Sequence, residues 1–250
     1  MWYTEEIIEE INEEFICVMS QYTECLDFII KIKLKDSNAI EYLQQGYGRR
    51  ISILKFCCKR IFEIFPPERT ELLKEDELDE LDIFIQSFFV NIYGIIDNLL
   101  WIINFEKNLG LKNVRVKLTN ERIKQFFSDD FVSYLDNRQK NSFSEWYEKE
   151  CKTFRHSLCH RIPLYVPPSY IFDYEKYMKL ENKKLEALKN KKQKQAKKIE
   201  KEQLKFCHNY PFFTHSFCEE APRVNIHTQI IKNSSMIIEF VNKFFEGTNL

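Results

Sequence analysis

The sequence predicts an all-α protein: a multi-helix bundle carrying an inserted small β-hairpin and a long charged helix. Three observations predict it. The 250 residues include only 5 Gly and 7 Pro, too few for the turns of an all-β or doubly wound fold. Phenylalanine is abundant, at 22 residues, and with isoleucine-rich runs it supplies bulky core side chains. Apolar residues recur at three- and four-residue steps over long windows, the period of an amphipathic helix.

Thr4 caps a first helix, with Glu5 and Glu6 in its first turn beside the positive end of the dipole. Ile7, Ile8, Ile11, Phe15, Val18, Met19, Tyr22, Leu26 and Ile29 then mark one face to about Leu34. Asp36-Ser37-Asn38 breaks the pattern. A second helix spans 39–65, loosened by Gly46 and Gly48 and stopped by Pro66-Pro67. A third spans 72–105 and is apolar nearly all round between 84 and 101, which makes it the central, most buried helix. Asn108-Leu109-Gly110 ends it. A loop at 110–118 leads to a fourth helix at 119–134, and a fifth runs over 145–160 before Pro163.

Residues 164–172 read as extended, followed by one long, weakly amphipathic, lysine-rich helix over 174–204. The aromatic stretch 206–217 is the expected return half of the hairpin. A last amphipathic helix covers 226–245. The expected organisation is therefore one helical domain over 1–250, interrupted by an insertion at 164–222. There is no internal repeat.

Formal net charge is −1, so bulk charge does not mark a polyanion binder. The charge is segregated instead. Residues 68–82 hold eight acids against Arg69 and Lys74, and residues 175–205 hold twelve lysines against five glutamates. The eight cysteines (17, 25, 57, 58, 151, 159, 207 and 218) fall mostly within helical apolar patterns, where a free thiol behaves as a small hydrophobe. The N-terminus shows neither a basic nor an apolar signal region, and no run reaches about 18 uninterrupted apolar residues. The expectation is a cytoplasmic chain with reduced thiols and no membrane span.

The most informative segment is Arg155-His156-Ser157-Leu158-Cys159-His160. Arginine presents a permanently charged donor fork matched to phosphate, and histidine exchanges protons near neutral pH. Metal-free RNA cleavage needs these functions: a base for the 2′-hydroxyl, a cation for the developing phosphorane charge and an acid for the leaving 5′-oxygen. On a straight helix, at about 100° per residue, Arg155 and His160 stand roughly 140° apart. They converge only if the helix distorts before Pro163, if both side chains bend to one groove, or if two copies of the segment meet. A straight helix through His160 in a monomer counts against a shared site. The alternative is a helix C-terminus decorated with ordinary surface cations.

The Arg-His-x-x-x-His pattern late in a helix of an all-helical chain resembles the Arg-x(4–6)-His signature of the HEPN superfamily. The context is Phe154-Arg155-His156-Ser157-Leu158-Cys159-His160-Arg161-Ile162-Pro163. The resemblance covers 1–163 and 224–247 and leaves out the insertion. It implies a metal-independent ribonuclease that acts as a homodimer on RNA, without a cofactor. It also implies a toxin–antitoxin or phage-defence setting with an antitoxin or defence-system partner protein. Arg155 and His160 would then be catalytic and His156 supporting. Other members of the superfamily lack nuclease activity and serve as binding modules.

Three further groups enter. Gln86, Asn91, Asp97 and Asn98 are polar positions in the apolar third helix. A carboxylate such as Asp97 is costly there unless paired, so Asp97 or Asn98 is expected to orient Arg155 or His160. His156 and His160, at i and i+4 beside Cys159, have spacing compatible with one metal ion, and Cys207, His208, His215 and Cys218 add donors. Neither pair of cysteines is a Cys-x2-Cys, so no metal site is assigned. Finally, Lys189, Lys191, Lys192, Lys194, Lys197 and Lys198 form the basic centre of the charged helix. They are candidates for nucleic-acid binding through phosphate, with few aromatic residues to read bases.

Overall fold

The computed structural model describes residues 2–140, 142–216 and 223–250. Among them the chain is a helical bundle with two small antiparallel two-stranded sheets. Helix α1 (Glu5–Lys31) is capped by the Thr4 hydroxyl, which accepts from Ile7 N–H. Helix α2 (Ser37–Glu41), capped by Asp36, runs through a π-helical stretch, Tyr42–Gly48, into α3 (Arg49–Ile64). The loosening anticipated at Gly46 and Gly48 is this wide turn. It lets the backbone at Gly46 sit against Asn98, where an added Cβ would stand 3.0 Å from the Asn98 side chain.

Helix α4 (Glu75–Glu106) is the core of the bundle. Leu81, Ile85, Phe88, Ile92, Ile95, Ile96 and Leu99 are all fully buried along it. Each such side chain contributes on the order of 1.5–3 kcal/mol relative to exposure. Among the described residues it is the one helix long and apolar enough to cross a membrane, and most of that stretch is buried inside the bundle. Helix α11 (Ile226–Gly247) packs on α1 and buries Ile230, Ile237, Phe240, Val241 and Phe244.

The fourth predicted helix divides into α5 (Glu121–Lys124) and α6 (Asp129–Asp136). The chain end causes the break. Ser128 N–H donates to Gly247 C=O at 2.7 Å, and Asn249 N–H donates to Phe126 C=O at 3.1 Å. Helix α7 (Phe143–Trp146) continues through a second π-helical stretch, Tyr147–Cys151, into α8 (Lys152–His160). Glu150 fixes this stretch to α11 by accepting from Gln229 at 2.6 Å and from the Lys232 ammonium.

The insertion departs from its expected form. The single lysine-rich helix is two, α9 (Tyr174–Lys189) and α10 (Gln193–Gln203), folded back on each other. Lys191 turns the corner at φ +57°, and Lys192 N–H donates to Ala187 C=O at 2.8 Å, which closes α9. A small core of Ala187, Ala196 and Ile199, with Leu180 against it, holds the pair together. That apolar pairing is what a single straight helix would leave exposed.

Strands β1 (Tyr170–Ile171) and β2 (Cys207–His208) pair antiparallel at the base of this helical hairpin, and Tyr165 bridges Thr214 below them. The two extended aromatic segments therefore do meet. A second pair, β3 (Phe212–Phe213) with β4 (Val224–Asn225), leads the chain back into α11. Polar residues of α4 anchor the insertion: Gln86 donates to Leu164 C=O and the Asp82 carboxylate accepts from Val166 N–H, both at 2.7 Å. Asn209 ties the return to the 71–73 segment through Leu73 N–H and Glu71 C=O, both at 2.8 Å.

Candidate functional site around Arg155

Burial fixes the rotation of α8. Phe154 and Ser157 face inward, Phe154 lying 4.5 Å from the Phe89 ring. Arg155 sits on the flank, half-buried, whereas His156, Cys159 and His160 are exposed on the outer side. The helix is regular through His160, and Arg161 N–H still donates to Ser157 C=O at 3.0 Å. Its one distortion, the π-helical stretch, lies before Arg155 and so leaves the 155-to-160 relation helical. Arg155 and His160 are therefore not brought together within one chain. His160 instead pairs with His156, their ring centroids 5.1 Å apart.

Arg155 is held from the other side. Its guanidinium carbon lies 5.1 Å from the centre of the Tyr93 ring, a cation–π placement. Asp97 stands one helical turn beyond Tyr93. Burial raises its carboxyl above the ordinary range, and the positive charges of Arg155 and Arg50 oppose that rise. So Asp97 lies in the field of both Arg155 and Arg50.

Asn98 goes elsewhere. Its Oδ1 accepts from Arg50 Nε at 2.8 Å, while Asn91 Oδ1 accepts from Arg50 Nη1 at 3.0 Å. The two asparagines, seven residues apart, clamp one guanidinium across Gly94. A Cβ on Gly94 would meet the Arg50 guanidinium carbon at 2.3 Å, so only glycine admits this arrangement. Arg50 is the residue that sequence reasoning missed. Its signal was present: two asparagines on one face of an apolar helix with glycine between them call for a polar partner lying across it.

Arg155 and His156 share an open groove of about 440 Å³ with Lys152, Arg161, Tyr93 and His215. His160 does not line it. Among the described residues the groove's charged side chains are cations, which suits a phosphate. Lys152 is also engaged by Glu148 at 2.5 Å.

The six lysines from Lys189 to Lys198 occupy the tip of the α9–α10 hairpin, all exposed. Cys218 lies outside the described residues, as does Phe217 at the end of the return segment. Among the described residues no group of three or more His, Cys, Asp or Glu gathers as a metal set, and no cysteine pair is bonded. Compared with known proteins, the chain matches no family model, no curated protein and no solved structure.

Proposed function

We propose that this chain is a metal-independent endoribonuclease of HEPN type, active as a homodimer, acting in the cytoplasm as a toxin or defence effector. The observation that carries the reading is the setting of Arg155. The guanidinium is held by Tyr93 and in the field of Asp97, and it opens into a cationic groove that also holds His156. Such a cation grips the scissile phosphate. A histidine takes the 2′-hydroxyl proton as the 2′-oxygen attacks phosphorus. The P–O5′ bond breaks, a second proton goes to O5′, and a 2′,3′-cyclic phosphate remains. His160 is the assigned proton carrier, with His156 supporting it.

Because α8 turns His160 outward, a shared site needs a second protomer on that face. An exposed apolar strip supports this. Ile53 and Phe56 on α3, and Ile83 and Val90 on α4, are 40–63% exposed. Val90 and Asp97, seven residues apart, share one face of α4, the helix whose Tyr93 holds Arg155.

The test is RNA incubated in EDTA. Wild type should cut and leave 2′,3′-cyclic ends, and Arg155→Ala and His160→Ala should each lose about 10²–10⁴-fold. Intact RNA with wild type, or undiminished cutting by both variants, overturns the reading. The hairpin tip favours a second reading, a non-catalytic module that binds nucleic acid or a partner protein. In that case neutralising 189–198 abolishes binding while the α8 variants change nothing.

A further inference from the structure

We propose that a trench leading into the Arg155 groove is a binding site for single-stranded nucleic acid, distinct from the lysine tip. This extends the ribonuclease reading by naming the substrate class as unpaired RNA. A second cavity of about 650 Å³, within the range of ligand clefts, adjoins the Arg155 groove. The two share Tyr93 and Lys152 in their linings, so they meet at these side chains, the junction of the proposed channel.

The channel has an aromatic wall. Phe143 and Tyr147 are stacked at 5.5 Å and 11°, and Tyr147 and Tyr93 are parallel at 6.1 Å and 11°. The Arg155 guanidinium carbon lies 5.1 Å from the Tyr93 ring centre, and Lys152 Nζ lies 4.8 Å from the Tyr147 ring centre. Planar groups thus already stack in register toward Arg155. The Lys152 side chain on Tyr147 is flexible, and a base can displace it. The π-helical stretch that begins at Tyr147 sets this ring against Tyr93, a distortion frequent at functional sites.

The charge fits a nucleic-acid strand. Lys117, Lys124, Arg138 and Lys149 line the outer cavity, with Lys152 at the junction. Its carboxylates are Asp136, Glu145 and Glu148, and the last two are occupied by Lys149 at 2.9 Å and Lys152 at 2.5 Å. Among the described residues Lys117 and Arg138 are in no ion pair, which leaves them for phosphates. A duplex hides the faces of its bases from such a recessed wall, whereas an unpaired strand offers them.

The experiment uses the full chain and a fluorescent 2′-O-methyl oligonucleotide, whose blocked 2′-oxygen prevents cleavage by 2′-hydroxyl attack. Affinity is read by anisotropy for the single strand and for its duplex. The single strand should bind about ten-fold tighter. Tyr147→Leu should weaken it about ten-fold while Tyr147→Phe keeps it. The surface pair Lys117→Gln and Arg138→Gln should lower the dependence of log affinity on log salt by about one to two. Equal binding of duplex and single strand overturns the proposal. So does an affinity that only the 189–198 lysines change. If Tyr147→Leu does not fold, the strand preference and the surface pair decide. Because the probe resists cleavage, a chain that binds it but never cuts RNA loses the nuclease reading alone. A chain that cuts RNA yet ignores Tyr147 and the surface pair loses this inference alone.

Discussion

The chain has two basic regions, and they are built in opposite ways. The hairpin tip concentrates Lys189, Lys191, Lys192, Lys194, Lys197 and Lys198 at solvent-exposed positions, above a core of three small or medium side chains and Leu180. The α8 groove has fewer cations, but Arg155 and Lys152 among them have defined environments. Arg155 has Tyr93 beneath it and Asp97 in its field, and the adjoining Arg50 is locked between Asn91 and Asn98. Long flexible lysines give salt-dependent attraction without fixed geometry, whereas a held guanidinium is preorganised for one phosphate. Charge density therefore marks the tip, and preparation marks the groove.

The sharpest way to break this comparison is at the groove. Arg155→Ala should cost two to four orders of magnitude in RNA cleavage, read from initial rates, whereas Lys→Gln at all six tip positions should leave the rate on a short substrate within about three-fold. An inverted result, with the tip dominant, assigns recognition and chemistry to the hairpin.

The next effect concerns the bundle that carries the groove. His227 is fully buried, its Nε2 2.6 Å from Phe65 C=O and its Nδ1 3.0 Å from the Tyr3 hydroxyl, and burial lowers its pKa to about 4. A depressed folded pKa contributes stability above about pH 6.5 that is lost as pH falls through 4. On the scale of the shift this is about 3 kcal/mol. Asp82 acts with the opposite sign. Burial raises its carboxyl to about 6, so its contribution is present below pH 4 and lost as pH rises through 6. The two slopes oppose each other in wild type. Asp82→Asn should expose the His227 loss as a falling urea midpoint between pH 6.5 and 4. His227→Gln should give a midpoint that rises on acidification. Parallel profiles for the two variants contradict this account.

Gly94→Ala tests the preparation of the site alone. The added methyl must displace the Arg50 guanidinium, at about 1–3 kcal/mol of stability. Calorimetry should show a lower Tm, whereas Gly110→Ala, at an exposed position with open space around it but φ +62°, should lose stability through backbone strain and not through packing. The smallest effect separates the regions in motion. Amides of α9 and α10 should exchange hydrogen through local opening well before those of α4, because the hairpin core is so thin. Equal protection in the two would mean that hairpin and bundle open as one unit.

The helices of the bundle were legible because their apolar faces repeat strongly and because signals such as the Thr4 cap and the Asp36-Ser37-Asn38 break are local. The break in the fourth helix was not, because Ser128 and Phe126 are held by residues from the far end of the chain. The bend at Lys191 was hidden in a segment with no glycine or proline, where pairing of Ala187, Ala196 and Ile199 overrides a continuous helical pattern. For the site, the sequence left open whether Asp97 or Asn98 meets Arg155 or His160, and it put Arg155 and His160 on different faces of an ideal helix. The Asn91–Gly94–Asn98 spacing signals a polar partner, but that Arg50 fills the role, and that Tyr93 meets Tyr147, depends on how α3 and the π-helical turn pack on α4.

The central claim is that Arg155 and His160 act together across two protomers, since one regular helix keeps them apart within a chain. The direct measurement is RNA cleavage by a mixture of Arg155→Ala and His160→Ala protomers, each inactive alone. Cleavage at least ten-fold above either variant is the predicted result. A mixture that forms heterodimers yet stays inactive, or a wild-type monomer that cleaves at full rate, would contradict it.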